Sequence, residues 1–407
     1  MPAPPTKKIG PKGGCQACHD YADEVHPGLG CTACHAGNNL AANREQAHLG
    51  MITAPGDPAH LLEKCGPCHP RETGDIEQSR HFSLTGEINP LRRHFGADRD
   101  LAAARDIPVS EKPASPLALA DDLLRRRCLR CHVYYRGDDY GATRRGTGCG
   151  ACHLEYRDGK LVSHRFLAVP GDSQCLACHY GNRVGADYYG YFEHDLREEF
   201  RTPFQPDGSR PSRPHGLEEH RLQADVHQRA GLICLDCHSG LHRGSAATIS
   251  CADCHYWRPG RALPAAGFET TKGILRFKGK GNGRLHTVPP ARDPAHTRHG
   301  AKTDCAVCHA QWSFNDSGTH LLRTDIEDYL EWDDLVIQGS SEVEAQLRNS
   351  LAGQSEVPPT MTDKFSTGSR PGLWLKTFTL RRWESPLIGR DDQGWLRVMR
   401  PSLDLHL

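Results

Sequence analysis

Methionine, aromatic residues and long apolar runs are all scarce in this chain. It has four methionines (Met1, Met51, Met361 and Met399), and aromatics make up 7% of its residues. Hydrophobic residues of every kind reach only 37%, below the usual range for a globular domain. No stretch approaches 18 consecutive apolar residues, which excludes a membrane-spanning helix in the sequence given. There is no charge imbalance: 50 basic residues face 50 acidic ones. No basic domain and no motif points to nucleic acid. The opening Met1–Lys8 carries no apolar segment of the kind a secretory leader needs. What the chain has in quantity is 41 glycines and 28 prolines. A chain so polar and loop-rich lacks the apolar area to offset its own ordering entropy.

Cysteine is the exception, and its 18 copies leave none to spare. All fall in nine copies of Cys-x-x-Cys-His: Cys15, Cys18 and His19; Cys31, Cys34 and His35; Cys65, Cys68 and His69; Cys128, Cys131 and His132; Cys149, Cys152 and His153; Cys175, Cys178 and His179; Cys234, Cys237 and His238; Cys251, Cys254 and His255; Cys305, Cys308 and His309. This spacing is that of c-type haem attachment: two thiols add across the haem vinyl groups and the next histidine ligates the iron. A zinc site needs four ligands but no histidine directly after every second cysteine. A redox dithiol ordinarily occurs once, beside a βαβ unit. The pattern therefore predicts nine covalently bound haems (haem c, iron), one per roughly forty-five residues, and these rigid apolar plates supply the core the polypeptide lacks. The expected fold is mostly irregular and haem-cored, with short α-helices and a small C-terminal β-hairpin region.

The motifs fall into three sets, each a close pair followed by a single, with a repeat of about 110 residues between sets. This divides the chain into tri-haem segments at 1–95, 96–200 and 201–325 and a haem-free, Trp-rich tail at 326–407. Proline- and glycine-rich stretches at 96–120, 201–214 and 258–294 read as linkers. Short helices are predicted at 116–127, 216–230 and 341–351. In the tail, 373–380 alternates apolar and polar as a strand does. A second strand, 394–399, follows a turn at 391–394, and the two are expected to form a hairpin.

Of 25 histidines, sixteen lie outside the motifs, whereas only three methionines are internal. Second axial ligands are therefore expected to be histidines, giving bis-His iron of lower potential than Met/His iron. The best-placed residues lie just before or after a motif: His26, His48, His81, His164, His220, His227, His242, His296 and His320. The second close pair has no such histidine inside it, so its haems must draw ligands from elsewhere.

With nine motifs from Cys15 to His309, and phrases such as Ala47-His48-Leu49-Gly50 and Asp225-Val226-His227, the chain resembles the multihaem c-type cytochromes of anaerobic respiration and extracellular electron transfer, a group that includes polymerising extracellular cytochromes. The resemblance stops near residue 325. It implies a continuous path of stacked and T-shaped haem pairs that conducts electrons to redox partner proteins or extracellular acceptors. The protein would be either a discrete carrier or one of many identical subunits in a filament. It implies an extracellular or cell-surface location, or a periplasmic one, and an electron carrier rather than a catalyst, with no catalytic residues. The competing reading is a haem-dependent oxidoreductase that reduces nitrogen or sulfur oxyanions or a metal at one open haem. All nine motifs end in His, so the Lys of cytochrome c nitrite reductases is absent. Tyr134, Tyr135, Tyr140, Tyr188, Tyr189 and Tyr191 cluster where a cross-linked tyrosine could sit in the hydroxylamine oxidoreductase manner. Under this reading the haems at His132 and His153 are the expected exceptions.

Overall fold

The computed structural model describes residues 14–19, 25–26, 28–181, 185–193, 212–241, 247–326, 335–338, 340–353 and 358–399. Among these residues the helices are short. Several motifs wind into single turns, including Cys31–His35, Gly150–His153, Cys251–His255 and Cys305–His309. One turn brings the second cysteine and the histidine near the first cysteine on the same side of the backbone.

The longest described helices are Pro116–Arg126 and Ser341–Leu351, both where the sequence places them. The Ser115 and Ser340 side chains accept from the backbone N–H of Ala118 and Val343 and start each helix. Pro116, whose missing N–H costs nothing at the first helical position, helps the former. The helix expected over 216–230 is not formed. Glu219–Arg221 is a strand paired with Tyr191–Glu193, and only Val226–Arg229 is helical. Tertiary pairing overrides a weak local preference there, and the Asp225 carboxylate, which accepts from the His227 N–H at 2.8 Å, starts a new turn in mid-segment.

The described sheets are antiparallel and have two or three strands each. The longest pairing sets Ser313–Thr324 against Leu373–Glu384, in register from Ser313 opposite Glu384 to Thr324 opposite Leu373. Val336–Ile337 adds to the other edge of Leu373–Glu384. The 373–380 strand is thus present, but it does not pair with 394–399. Instead Leu396–Val398 pairs with Ile388–Arg390. The Asp391 carboxylate accepts from the N–H groups of Gln393 and Trp395 and closes that tighter turn. Alternation defines a strand and its buried face; it does not choose the partner.

The helix Pro116–Arg126 joins two apolar clusters. Leu123 packs with Val343, Met361, Leu373, Trp374 and Leu375, while Leu124 packs with Ile88, Ala104, Ile107 and Leu129. Each such side chain contributes roughly 1.5–3 kcal/mol by leaving water. The same helix carries three buried ion pairs: Asp121 with Arg92 (2.7 Å), Asp122 with Arg126 (3.1 Å) and Arg125 with Asp363 (2.6 Å). The Trp374 indole N–H donates to Asp122 at 2.8 Å. Arg126 also donates to the carbonyls of Arg370, Pro371 and Gly372. The C-terminal sheet is therefore fastened to the helix that leads straight into Cys128. A second fastening lies at Gly148, just before Cys149. Its φ is +56°, and a Cβ there would fall 1.5 Å from the Gly56 carbonyl oxygen. Only glycine permits this contact between motif five and the first segment.

Candidate metal centres

Among the described residues, six of the nine motif histidines face a second histidine ring. The pairs and their centroid separations are His19–His48 (5.9 Å), His69–His26 (6.3 Å), His35–His164 (6.1 Å), His179–His81 (6.2 Å), His255–His227 (6.0 Å) and His309–His296 (6.1 Å). Two imidazoles on opposite sides of one metal ion, each bonded at about 2 Å and each with its centre about 1 Å further out, have centroids about 6 Å apart. The donor set and its spacing therefore fit a bis-His iron at each of the six. One pair, His296–His309, is local in sequence. The other five each span at least one further motif, and two of them, His35–His164 and His179–His81, join the first segment to the second.

Hydrogen bonds orient several of these rings. The Nδ1 atoms of His35, His153 and His255 lie 2.8, 2.6 and 2.7 Å from the carbonyl oxygens of Ile52, Leu167 and Pro289. A carbonyl can only accept, so the proton sits on Nδ1 and the Nε2 lone pair is left for a metal. His227 donates from Nδ1 to Asp225 at 2.8 Å, a bond that raises the His227 pKa. His132 is arranged the other way. Its Nδ1 accepts from the Tyr134 N–H at 3.0 Å, its Nε2 is buried without a hydrogen-bond partner, and Phe365 lies 4.2 Å from its ring centroid. At 3% exposure, burial pushes its pKa down to about 3 and keeps the ring neutral. Among the described residues no second histidine ring faces His132 or His238.

Of the nine expected second ligands, His26, His48, His81, His164, His227 and His296 sit in the six pairs. His220 stacks on Trp383 at 6.0 Å, and His320 is exposed on the strand Ser313–Thr324, opposite Thr377. Among the described residues neither faces a motif histidine. His242 lies outside the described residues. Two histidines not singled out in the sequence are half-buried. His215 stacks on Tyr180 at 4.9 Å, and burial lowers its pKa to about 4. The His286 Nε2 is buried without a hydrogen-bond partner. Neither lies close enough to a motif in sequence to attract notice.

Cys65 of motif three and Cys149 of motif five pack against one apolar cluster, with Leu61, Val133 and Ala151. The Asp172, Cys175 and Cys234 ligand atoms lie within 4.8 Å of one another, but both cysteines belong to attachment motifs. Asp172 accepts from the Cys234 N–H at 2.8 Å and from the Tyr189 hydroxyl, and these hydrogen bonds account for it. Tyr134 and Tyr140 are similarly engaged, with the Phe82 carbonyl and Glu344.

The surroundings of motif four are cationic and buried. Arg127 donates to the neutral Gln338 at 2.7 Å, and its Nη1 has no hydrogen-bond partner. Burial, then repulsion from Arg130, lowers its pKa to about 10. Among the described residues, Arg145 donates only to backbone carbonyls, including those of Arg130 (2.9 Å) and His132 (3.3 Å). Arg130 is paired with Asp138 at 3.1 Å. Comparison with known protein families, with curated proteins and with solved structures finds no match.

Proposed function

We propose that the chain is a multihaem electron-transfer protein that carries nine c-type haems and passes electrons along them, in extracellular electron transfer, as a discrete carrier or as a filament subunit. The observation that carries this reading is the set of six facing histidine pairs, each with one member from an attachment motif. Haem iron held between such rings would supply a one-electron couple with no open position for substrate. The polypeptide's task is to hold the groups close, fix their axial rings and exclude water. The Nδ1–H bonds to Ile52, Leu167 and Pro289 set the ligand tautomer before any metal arrives.

The reading is tested by pyridine haemochrome quantification and EPR of purified protein. Nine haems, low-spin at the paired sites, is the expected result. The filament form is tested by electron microscopy across a concentration series, where monomers throughout would overturn it. One observation favours the second reading, an oxidoreductase with an open haem. His132 faces no second histidine among the described residues, and a neutral ring that accepts at Nδ1 carries its proton on Nε2. A high-spin signal that shifts on adding nitrite, hydroxylamine or cyanide would support that reading.

A further inference from the structure

Eight of the nine attachment motifs are built alike. The histidine N–H donates to the carbonyl of the first cysteine in the motifs ending at His19 (3.0 Å), His69 (2.9 Å), His153 (3.0 Å), His179 (2.8 Å) and His238. In those ending at His35, His255 and His309 the histidine closes an α-helix that starts at or before the second cysteine's turn, at the first cysteine. All eight histidines are exposed or half-buried, so their rings can be reached from outside.

Motif four departs from this in three ways. Its histidine N–H turns instead to the Leu129 carbonyl (3.2 Å), and the chain leaves His132 extended, at φ −81° and ψ 162°. A three-residue turn carries the histidine roughly 80° further round the axis than an α-turn does. The His132 Nδ1 accepts from the Tyr134 N–H, the reverse of His35, His153 and His255, so Nε2 holds the proton and offers no lone pair. That Nε2 is buried, with Phe365 against the ring (4.2 Å, tilted 42°) and Tyr134 edge-on to it (5.1 Å). As the fold arranges them, these residues do not fit a haem.

What shuts the site comes from the far end of the chain. Phe365 lies in the tip between the paired strands Thr360–Thr362 and Ser369–Pro371. The Arg125–Asp363 ion pair holds this tip. So does Lys364, whose N–H donates to the Arg125 carbonyl at 3.0 Å and whose Nζ pairs with Glu342 at 2.5 Å. Phe365 packs on the apolar cluster that contains Leu129, a residue of motif four itself. The thiols are not shut in: Cys128 is exposed and Cys131 half-buried.

We propose, resting on haem attachment at the other motifs, that the tip carrying Phe365 is a gate on motif four. While it is seated, Cys128 and Cys131 stay free thiols and no haem is taken. The site fills only before the tip seats or while it is lifted. Attachment adds each thiol S–H across a vinyl group: an S–C and a C–H bond form, the S–H and the π bond are lost, and no oxidant or leaving group is involved. It needs both thiols and the histidine ring presented together, which the seated tip prevents. The tip lies more than two hundred residues after Cys131, so the motif emerges first during synthesis. Attachment wins when haem is plentiful, and closure wins when it is scarce.

The test produces the full chain with haem ample and with haem limiting. Each preparation is unfolded, alkylated with iodoacetamide and read motif by motif by peptide mass spectrometry, which finds either haem or alkyl groups on each cysteine pair. With ample haem all nine motifs carry haem. With limiting haem, motif four is expected to be alkylated several-fold more often than any other. Phe365→Ala and Asp363→Ala, which unseat the tip, should bring its haem occupancy up to that of the rest. Phe277→Ala, which opens an apolar cluster beside motif eight, should leave motif four the emptiest. If Phe365→Ala yields no folded protein, Phe365→Leu carries the same test with a smaller gain. Motif four filling as fully as the others in the unmodified chain under limiting haem overturns the proposal. So does motif four staying emptiest in both tip variants, or an equal gain in Phe277→Ala. Alkylation of every motif with haem ample overturns the underlying reading instead.

Discussion

The Arg125–Asp363 pair should decide whether the C-terminal sheet stays closed over motif four. Arg125 Nε lies 2.6 Å and Nη2 2.9 Å from the two Asp363 oxygens, and neither side chain is appreciably exposed. Asp363 also accepts from the N–H groups of Phe365 and Ser366 at 2.9 and 3.0 Å, which sets the loop that places Phe365 against His132. Asp363→Ala removes one partner and leaves a buried guanidinium. That typically costs about 3–5 kcal/mol, with the two orphaned backbone donors adding to it. At about 1.4 kcal/mol per decade, the opening equilibrium of the sheet should rise roughly a hundred- to a few-thousandfold. Hydrogen exchange of peptides spanning Leu373–Glu384, followed by mass spectrometry, reads that equilibrium directly. Replacing both partners by apolar residues, Arg125→Met with Asp363→Leu, should recover most of the loss, because the desolvation penalty leaves with the pair. Less than tenfold faster exchange in Asp363→Ala, or a double variant as damaged as the two single ones added together, would refute this reasoning.

Three further outcomes are expected. The Asp363 carboxyl would be raised by burial alone, but its bond to Arg125 and the backbone N–H groups hold it down to about 2. A depressed carboxyl stabilises the fold above its unfolded value near 4. That contribution, about 2 kcal/mol, is lost as pH falls from there through about 2, so an acid titration of the same exchange should show a limb that Asp363→Ala lacks. His164→Ala should leave His35 without its facing ring and convert one of nine haems from low to high spin, read by EPR; a spectrum unchanged from wild type would remove His164 from that site. Cys31→Ala with Cys34→Ala should lower the pyridine haemochrome count by one, and an unchanged count would show that this motif holds no haem.

The attachment residues were legible because covalent chemistry demands fixed spacing: cysteine, cysteine and histidine lie within five residues, and one helical turn brings them together. The facing histidines were legible in kind but not in partnership. Proximity in sequence pairs His296 with His309, yet it gives no hint that His164 meets His35 or that His81 meets His179, because those pairs close only when distant segments fold together. The helices at 116–126 and 341–351 could be read from their serine caps and apolar spacing. The segment 216–230 could not, since its strand exists only through Tyr191–Glu193. Nothing local to Arg127 reveals that it meets Gln338, 211 residues further along the chain.

Haem quantification with EPR on the purified, oxidised protein tests the central claim most directly. The account predicts nine haems, with low-spin bis-His signals from at least the six paired sites. A protein that binds few or no haems, or one whose iron is mostly high-spin, would contradict it.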